Sequence, residues 1–234
     1  MTVFGILGAG QVGSTLARAS LAAGYDVVLA NSRGPQTLQG LVWQLAEEVG
    51  PRVRAAHVEE AAAMADLAIL AFPYAPGTRL PNDELAGKVV IDNNNYMVWR
   101  DGTIAEVDSG RKTIHELRQE QLPASKIVKA FTHVQFHGRH QLRVPEDGLP
   151  AVQRLARPAG APDRTAMVVS SDFPEAVAVV TRLYDDLGFD AVDNSPLSES
   201  WRSTPGTPMW RHHVDGQSRA ELLENLRRAQ RELT

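Results

Sequence analysis

The apolar residues of the chain fall into short runs that are separated by segments with helical spacing. Runs such as Val3–Leu7 lack the polar alternation of a half-exposed strand, so they predict strands that are buried on both faces. Between the first two runs, apolar residues three and four positions apart predict an amphipathic helix over Gln11–Ala23. The predicted strands are Val3–Leu7, Asp26–Ala30, Val53–Val58, Leu67–Phe72, Lys88–Asp92, Ile127–Phe131, Ala166–Ser170 and Asp190–Asp193.

Two capping patterns predict helix starts in the C-terminal third of the chain. Asp172 with Glu175, and Ser218 with Glu221, each place a short polar side chain three positions before a glutamate, which is the spacing of a capping box. Between these two helices, segment 196–216 is rich in Pro, Gly and Trp, and we expect a loop there.

Composition narrows the class of protein. The chain has 234 residues, 43% of them hydrophobic and 22% charged, as in ordinary globular proteins. A net charge of −4 gives no electrostatic case for a nucleic-acid or membrane partner. The lack of cysteine excludes disulfides and thiolate chemistry. We see neither a leader pattern nor a bilayer-length apolar run, so we expect a cytoplasmic protein.

A glycine-rich turn follows the first predicted strand and opens the first predicted helix. Its sequence, Gly8-Ala9-Gly10-Gln11-Val12-Gly13, matches the G-x-G-x-x-G pattern of dinucleotide-binding proteins. In that pattern the first glycine allows a tight turn, the second lets the backbone approach a pyrophosphate, and the third lets helix and strand pack closely. The free N–H groups at the helix N-terminus favour the phosphates.

The residues after the second strand predict which dinucleotide is bound. NAD sites carry an acidic residue there, whereas this chain has Asn31-Ser32-Arg33 and no carboxylate to repel a 2′-phosphate. Ser32 can donate a hydrogen bond to that phosphate, and the Arg33 guanidinium can bind it with two. We therefore predict NADP(H) rather than NAD(H).

These elements together predict an α/β fold: a Rossmann-type, doubly wound, mostly parallel sheet with a small C-terminal helical and loop appendage. Residues 1–135 are predicted to be the NADP-binding domain, residues 136–165 an irregular insertion, and residues 166–234 a C-terminal βαβ extension that caps the site for the second substrate. A homodimer is expected because dimers are the commonest oligomers.

At this point the chain resembles the coenzyme F420-dependent NADP oxidoreductases, a family that includes the reductase domain of the STEAP metalloreductases. The blocks that carry the resemblance are Gly8–Gly13, Asn31–Arg33, Val90–Asn94, Val128–Thr132, Leu187–Asp190 and Asn194–Ser198. The resemblance implies hydride transfer between NADPH and a flavin-like or deazaflavin acceptor. It also implies cofactor contacts at Ala9, Gly10, Gln11, Val12, Ser32, Arg33, Phe72, Pro73, Asn93 and Ala130.

Candidate cofactor-binding residues Asn93, Asn94 and Thr132, and a candidate catalytic residue, follow the later strands. Asn93 and Asn94 can hydrogen-bond the nicotinamide or ribose, or can serve turn chemistry. Thr132 replaces the residue that the family usually has after its Lys-Ala-Phe strand, and His133 next to it is the candidate catalytic residue, as a proton donor or as a group that orients the acceptor. We expect the acceptor between this edge and the loop from Trp201 to Trp210.

The sequence is also compatible with other functions. His133, His137 and His140 are spaced so that a helix would bring them together, but Gly138 interrupts them and no matching carboxylate is near, so we predict no metal site. The chain could instead reduce another small molecule, such as an imine or a carbonyl compound. It could also be an NADP-sensing protein without turnover, if Phe131 and Tyr96 block the nicotinamide edge.

Overall fold

The computed structural model of the protein describes residues 2–136 and 149–231. Eight strands form one sheet in the order β3-β2-β1-β4-β5-β6-β7-β8. The strands are β1 (Val3–Leu7), β2 (Asp26–Ala30), β3 (Val53–Ala55), β4 (Leu67–Leu70), β5 (Val89–Asp92), β6 (Lys126–Lys129), β7 (Ala166–Ser171) and β8 (Asp190–Asp193). Each of the eight predicted strands is therefore present.

The first six strands are parallel and have the order of a doubly wound nucleotide-binding sheet. β7 pairs antiparallel to β6, and β8 then pairs parallel to β7, so the C-terminal region extends the same sheet. The predicted fold class is confirmed. The predicted domain boundaries stay predictions, and residues 137–148 of the expected insertion lie outside the described residues.

Helices cover both faces of the sheet. They are α1 (Gln11–Ala22), α2 (Gln39–Glu48), α3 (Val58–Met64), α4 (Asn82–Leu85), α5 (Val98–Asp101), α6 (Ala105–Asp108), α7 (Ile114–Gln121), α8 (Ala151–Arg154), α9 (Pro174–Asp186) and α10 (Arg219–Arg228), with 3₁₀ helices at Pro35–Leu38, Leu197–Ser203 and Pro208–His212. None of the helices in the described ranges has the length and apolar character needed to cross a membrane.

Successive residues of each central strand point to opposite faces of the sheet. Ile6 belongs to a core cluster with Leu16 of α1, whereas Leu7 belongs to another with Ala61 of α3. Full burial of one such large apolar side chain stabilises the fold by about 1.5–3 kcal/mol. Apolar residues are therefore needed on both faces, which explains the unbroken apolar runs in the sequence.

The strand register aligns the carboxyl ends of four strands. Leu7 of β1 lies opposite Leu70 of β4, Leu70 opposite Asp92 of β5, and Asp92 opposite Lys129 of β6. Residues that are paired in neighbouring parallel strands project from the same face. Asp92 and Lys129 therefore point together to the face covered by α7, and the residues that follow them form the edge of the sheet.

Of the two capping boxes predicted in the C-terminal third, one is present and the other is not. The capping box of Ser218 and Glu221 is present at the start of α10. The one predicted for Asp172 is wrong: α9 begins after Phe173 with Pro174 in its first turn, and Asp172 Oδ1 accepts the N–H of Leu197 instead. Pro174 fixes a helical φ and lacks an N–H, so this helix start needs no side-chain cap there.

Candidate functional site

The glycine-rich turn has the backbone geometry that its sequence predicts. Gly8 has a φ of +111°, and a Cβ there would lie 2.7 Å from the carbonyl oxygen of Ala71, so only glycine fits. A Cβ at Gly13 would collide with the carbonyl of Gly8, which is the close packing of helix on strand. Gly10 differs, because no atom of the described residues, apart from its chain neighbours, lies within 4 Å of its Cβ position. The open space above Gly10 is where a pyrophosphate needs room.

The loop after β2 presents an exposed arginine at the same edge. Asn31 Oδ1 accepts the N–H of Arg33 at 2.9 Å, and Asn31 Nδ2 donates to Thr37 Oγ1 at 3.0 Å, so Asn31 shapes the loop. Ser32 and Arg33 are exposed, and neither side chain has a hydrogen-bond or ion-pair partner among the described residues. Both can therefore bind an anion.

A cleft of about 220 Å³, here called the edge cleft, lies at the carboxyl ends of the strands. The predicted residues Val12, Phe72, Pro73, Asn93, Asn94 and Thr132 line it together with Ala71, Asn95, Met97, Arg100, Phe131, Val134, Gln135, Phe136, Trp210 and His213. Ligands of open α/β sheets bind at this position. The glycine-rich turn contains the other predicted residues Gly8, Ala9, Gly10, Gln11 and Gly13. Ala130, directly after β6, is fully buried.

Three polar atoms of residues that line the edge cleft are buried without a hydrogen-bond partner among the described residues. They are Asn94 Nδ2, Asn95 Oδ1 and Thr132 Oγ1. The other side-chain atoms of the two asparagines hold the loop: Asn95 Nδ2 donates to the carbonyl of Thr132 at 2.6 Å, and Asn94 Oδ1 accepts from Arg100 at 3.3 Å. Buried polar atoms are rarely left unpaired, so a ligand with complementary groups fits here.

Phe131 is held in a strained conformation where β6 ends. Its φ of +57° is in the left-handed region that bulky residues seldom adopt. The N–H of Phe131 donates to the Tyr184 hydroxyl at 2.8 Å, its carbonyl accepts from Asn93 Nδ2 at 2.8 Å, and its ring meets the Tyr184 ring edge-on. These contacts stabilise a turn that directs Thr132 into the cleft.

His133 does not line the edge cleft. It is 4% exposed, and its Nε2 accepts the N–H of Val168 in β7 at 2.9 Å. Burial, together with the charge of Lys129, lowers the pKa of His133 to about 3, so the imidazole is neutral. The geometry therefore makes His133 a structural residue that ties the segment after β6 to β7, and the predicted catalytic role has no support here. His137 and His140 lie outside the described residues.

Beneath the edge, four ionisable side chains form a cluster that is shielded from solvent, here called the buried cluster. Asp92 and Lys129 come from the strand ends, and His115 and Arg118 come from α7; all four residues are fully buried. His115 Nδ1 lies 3.0 Å from Asp92 Oδ2, and Arg118 Nε lies 3.5 Å from the same oxygen. Lys129 Nζ donates to the carbonyl of Ser200 at 2.6 Å.

Charge and burial act in opposite directions in the buried cluster. Burial raises the pKa of Asp92, but the Arg118 charge and the His115 hydrogen bond outweigh it, so that pKa is lowered and the carboxylate is ionised. Burial lowers the pKa of His115, despite Asp92, and lowers that of Lys129 to about 7. A single anion thus serves three basic groups, of which Arg118 is always charged.

The buried cluster also supports one wall of the edge cleft. The Arg118 guanidinium lies 5.6 Å from the ring centroid of Phe72 and 5.1 Å from that of Tyr74, within cation–π distance. Sequence analysis missed His115 and Arg118 because it assigned no helix between β5 and β6. The available signal was the capping box of Thr113 and Glu116, which starts α7 in the structure.

The loop from Trp201 to Trp210 does not cover a single site. Trp210 lines the edge cleft and stacks on His213, with ring centroids 5.5 Å apart and planes at 21°. Trp201 lines a different cavity, on the α7 side of segment 93–98. The expected cap over the acceptor site is therefore limited to the Trp210 end of the loop.

Comparison with known proteins points to the family that the sequence resembles. Residues 3–96 match the family model of the coenzyme F420-dependent NADP oxidoreductases. The chain is 43% identical over 53 residues to protein YjhV of Escherichia coli, a match that spans 23% of this chain and 39% of that protein. The chain therefore matches about two fifths of the length of this relative.

Solved structures extend the likeness over most of the chain. Protein SMa0349 from Sinorhizobium meliloti is 27% identical with a TM-score of 0.65, and the match covers 89% of this chain and 93% of that one. A protein from Arthrobacter sp. FB24, named as an F420-dependent NADP reductase, is 25% identical with a TM-score of 0.62 over 86% and 87% of the two chains.

A more distant structure shares the fold alone. The imine reductase from Myxococcus stipitatus in complex with NADP⁺ is 14% identical with a TM-score of 0.51, and the match covers 85% of this chain and 56% of that one. The resemblance predicted from the sequence is thus confirmed over residues 3–96, where the matching family model is that of NADP oxidoreductases.

Proposed function

We propose that this protein transfers a hydride between NADPH and a planar, flavin-like acceptor such as the deazaflavin coenzyme F420. The observation that carries the proposal is the edge cleft, which is lined both by Val12 of the glycine-rich turn and by Asn94, Asn95 and Thr132 with their unpaired atoms. A dinucleotide whose pyrophosphate lies on the glycine turn extends its other end along the carboxyl ends of the strands.

The unpaired atoms are complementary to the carboxamide of nicotinamide. A carboxamide has an acceptor oxygen and two N–H donors, so it pairs with the donor Asn94 Nδ2 and the acceptor Asn95 Oδ1. The Thr132 hydroxyl can donate or accept a further hydrogen bond. When bound, the cofactor supplies the hydride, and these residues hold its ring in one orientation. At the other end, Ser32 and Arg33 bind the 2′-phosphate.

The wall opposite the nicotinamide site suits a flat acceptor. Trp210 and His213 form a stacked aromatic pair in the lining of the edge cleft, which also includes the ring of Phe72. A planar ring system stacked against Trp210 is held close to the nicotinamide, and such proximity supplies much of the rate of a hydride transfer. The same apolar wall keeps water from the hydride in transit.

The test is NADPH oxidation by the purified protein, followed with coenzyme F420, FMN, a cyclic imine and a ketone as acceptors. We expect turnover with a flavin-like acceptor. Trp210→Ala should raise the acceptor KM about 10-fold, on the scale of an aromatic contact plus its buried area, with little change in the NADPH Kd. Trp43→Ala is the matched control, because Trp43 is 68% exposed on α2 and lies outside the edge cleft.

The outcomes separate the alternatives. Turnover with the imine or ketone alone would replace the flavin-like acceptor by another small molecule. Tight NADPH binding without turnover on any acceptor would indicate an NADP-sensing protein. Failure to bind NADPH, measured by fluorescence titration, would overturn the proposal as a whole.

A further inference from the structure

A second cavity of about 220 Å³, here called the Trp201 cavity, shares no lining residue with the edge cleft. Segment 93–98 lies between them: Asn93, Asn94, Asn95 and Met97 line the edge cleft, and Tyr96 lines the Trp201 cavity. The remaining walls come from α6, α7, the segment 200–207 and the chain after α10. The function proposed above gives this cavity no role.

Two residues of the Trp201 cavity carry buried polar atoms without a partner among the described residues. His115 and Ser200 are both fully buried, and His115 Nε2 and Ser200 Oγ have no hydrogen bond. Each such atom left unsatisfied destabilises a protein by about 1–3 kcal/mol. Two of them at one cavity indicate a ligand that supplies the missing hydrogen bonds.

The tautomer of His115 decides which partner it needs. The ionised carboxylate of Asp92 can only accept, so His115 Nδ1, at 3.0 Å, must carry the hydrogen that it donates. Burial and the neighbouring charges of Lys129 and Arg118 lower the pKa of His115 and keep its ring neutral. Nε2 is therefore a bare acceptor, which needs an O–H or N–H donor from the ligand. The Ser200 hydroxyl can donate to the same group.

The remaining walls indicate an apolar body on that ligand. Tyr96, Val107, Ile114 and Trp201 provide aromatic and aliphatic surface. The Trp201 cavity, at about 220 Å³, has room for a single ring against these side chains.

Charged groups around the Trp201 cavity already have partners. Lys112 pairs with Glu120, Asp108 accepts from the Tyr96 hydroxyl at 2.7 Å, and the Arg231 guanidinium lies 5.7 Å from the Trp201 ring centroid. Asp108 and Arg231 form no ion pair among the described residues, but their charges are opposite, so the charged residues of the lining, with Lys112 neutralised by Glu120, carry no net charge together. The chemistry of the cavity therefore favours a neutral ligand.

We propose that the Trp201 cavity binds a small neutral phenolic compound, with its hydroxyl between His115 and Ser200 and its ring among Tyr96, Val107, Ile114 and Trp201. The hydroxyl donates to His115 Nε2 and accepts from Ser200 Oγ, which satisfies both unpaired atoms. This site lies apart from the edge cleft and does not depend on the acceptor proposed there.

The test is a titration with phenol and, separately, with anisole, which has the same ring but no hydroxyl donor. It is followed by the ¹H–¹⁵N NMR signal of the Trp201 indole, assigned with Trp201→Phe. We expect phenol to shift this signal with a Kd of order 1 mM, typical of a one-ring ligand. Anisole should bind about 10-fold more weakly, the effect of one lost hydrogen bond.

Ser200→Ala is the informative variant, since removal of His115 would leave Asp92 without a partner and endanger the fold. Ser200 Oγ makes no contact that holds the fold, and the Ser200 carbonyl that binds Lys129 remains. Phenol should bind Ser200→Ala about 3–10-fold more weakly. Ser198→Ala, on the same 3₁₀ helix but exposed and outside the cavity, is the matched control and should retain wild-type phenol affinity.

The NADPH Kd of Ser200→Ala should stay within about 2-fold of wild type, which separates this site from the edge cleft. The proposal is overturned if phenol and anisole bind equally, if Ser200→Ala binds phenol as wild type does, or if phenol leaves the Trp201 signal unmoved. Equal binding would mean that only the ring is recognised, wild-type binding by Ser200→Ala would mean that Ser200 gives no hydrogen bond, and an unmoved signal would mean that the cavity binds no phenol.

Discussion

The glycine turn and the buried cluster lie at the same edge of one sheet and are built in opposite ways. At the turn, Gly8, Gly10 and Gly13 shape a bare backbone that faces open space. In the buried cluster, Asp92 and Lys129 project from the strand ends under α7 and have no contact with solvent. A substitution in the glycine turn should therefore affect ligand binding, whereas a substitution in the buried cluster should affect the stability of the fold.

The comparison also explains how the edge cleft obtains its walls. The turn contributes Val12 on the open side, and the cluster supports Phe72 from below through Arg118. Phe131, strained at the end of β6, connects the segment after β5 with α9, since its backbone contacts both Asn93 and Tyr184. The edge cleft therefore adjoins the exposed backbone of the glycine turn and also contains Phe72, which contacts the buried Arg118.

The largest expected effect is on stability, from Asp92→Asn. This variant removes the only anion of the buried cluster and leaves the Arg118 charge buried without compensation, which should lower the free energy of unfolding by about 3–5 kcal/mol. Glu48→Gln breaks the partly exposed pair with Arg18 and should cost about 0–1 kcal/mol. Urea unfolding of both variants measures the difference, and equal losses would contradict the distinction between the two kinds of ion pair.

The second effect is on binding alone, from Gly10→Val. Its φ of −78° is allowed for valine and no atom lies within 4 Å of the Cβ position, so the variant should fold. The side chain would occupy the space of the pyrophosphate and reduce NADPH affinity at least about 100-fold, or about 2.7 kcal/mol. The control is Gly40→Val in α2, because there too no described atom outside the helix backbone lies within 4 Å of the Cβ position. Circular dichroism and fluorescence titration decide it, and unchanged binding would make the turn purely structural.

Arg33→Ala tests the choice of cofactor. Loss of hydrogen bonds to a charged phosphate should cost about 1.5–3 kcal/mol, or roughly 10–150-fold in NADPH affinity, while NADH affinity should barely change. Arg54→Ala is the control, because Arg54 is also exposed and has no side-chain partner among the described residues. Equal losses for NADPH and NADH would remove the assignment of the 2′-phosphate to Arg33.

The smallest expected effect, counted per pH unit, is a change in the free energy of unfolding caused by Lys129. Its pKa of about 7 in the folded protein is below the ordinary 10.5, so between these values the unfolded chain binds a proton that the folded chain does not. The free energy of unfolding should therefore rise with pH, by at most about 1.4 kcal/mol per pH unit. Urea unfolding of wild type and Lys129→Met from about pH 7.5 to 9.5 measures it. An equal slope in both proteins would contradict the prediction.

Much of the fold could be predicted from the sequence because its signals are local. A strand buried on both faces must be largely apolar, so runs such as Val3–Leu7 and Asp26–Ala30 were found with correct bounds. The glycine turn was equally local, since the spacing of Gly8, Gly10 and Gly13 reflects contacts between a strand and the helix that follows it. The capping box of Ser218 is a contact within four residues.

Predictions failed where a distant segment competed for a side chain. Asp172 has the spacing of a helix cap, but the N–H of Leu197, 25 residues away, takes its oxygen. His133 follows a strand at the ligand edge, but Val168 of β7 binds its Nε2 and removes it from the cleft. Such competition depends on which strands become neighbours, and local patterns do not contain that information.

By itself, the sequence determined the order of the strands along the chain, the glycine-rich turn with the helix after it, and the Ser32-Arg33 pair after β2. Only the tertiary structure decided that Asp92 and Lys129 share one face, that α7 brings His115 and Arg118 onto them, and that Trp201 and Trp210 line separate cavities. The physical reason is range. Backbone turns and helix starts are set by neighbours in the chain, whereas buried charges and cavities are set by the register and packing of elements far apart in it.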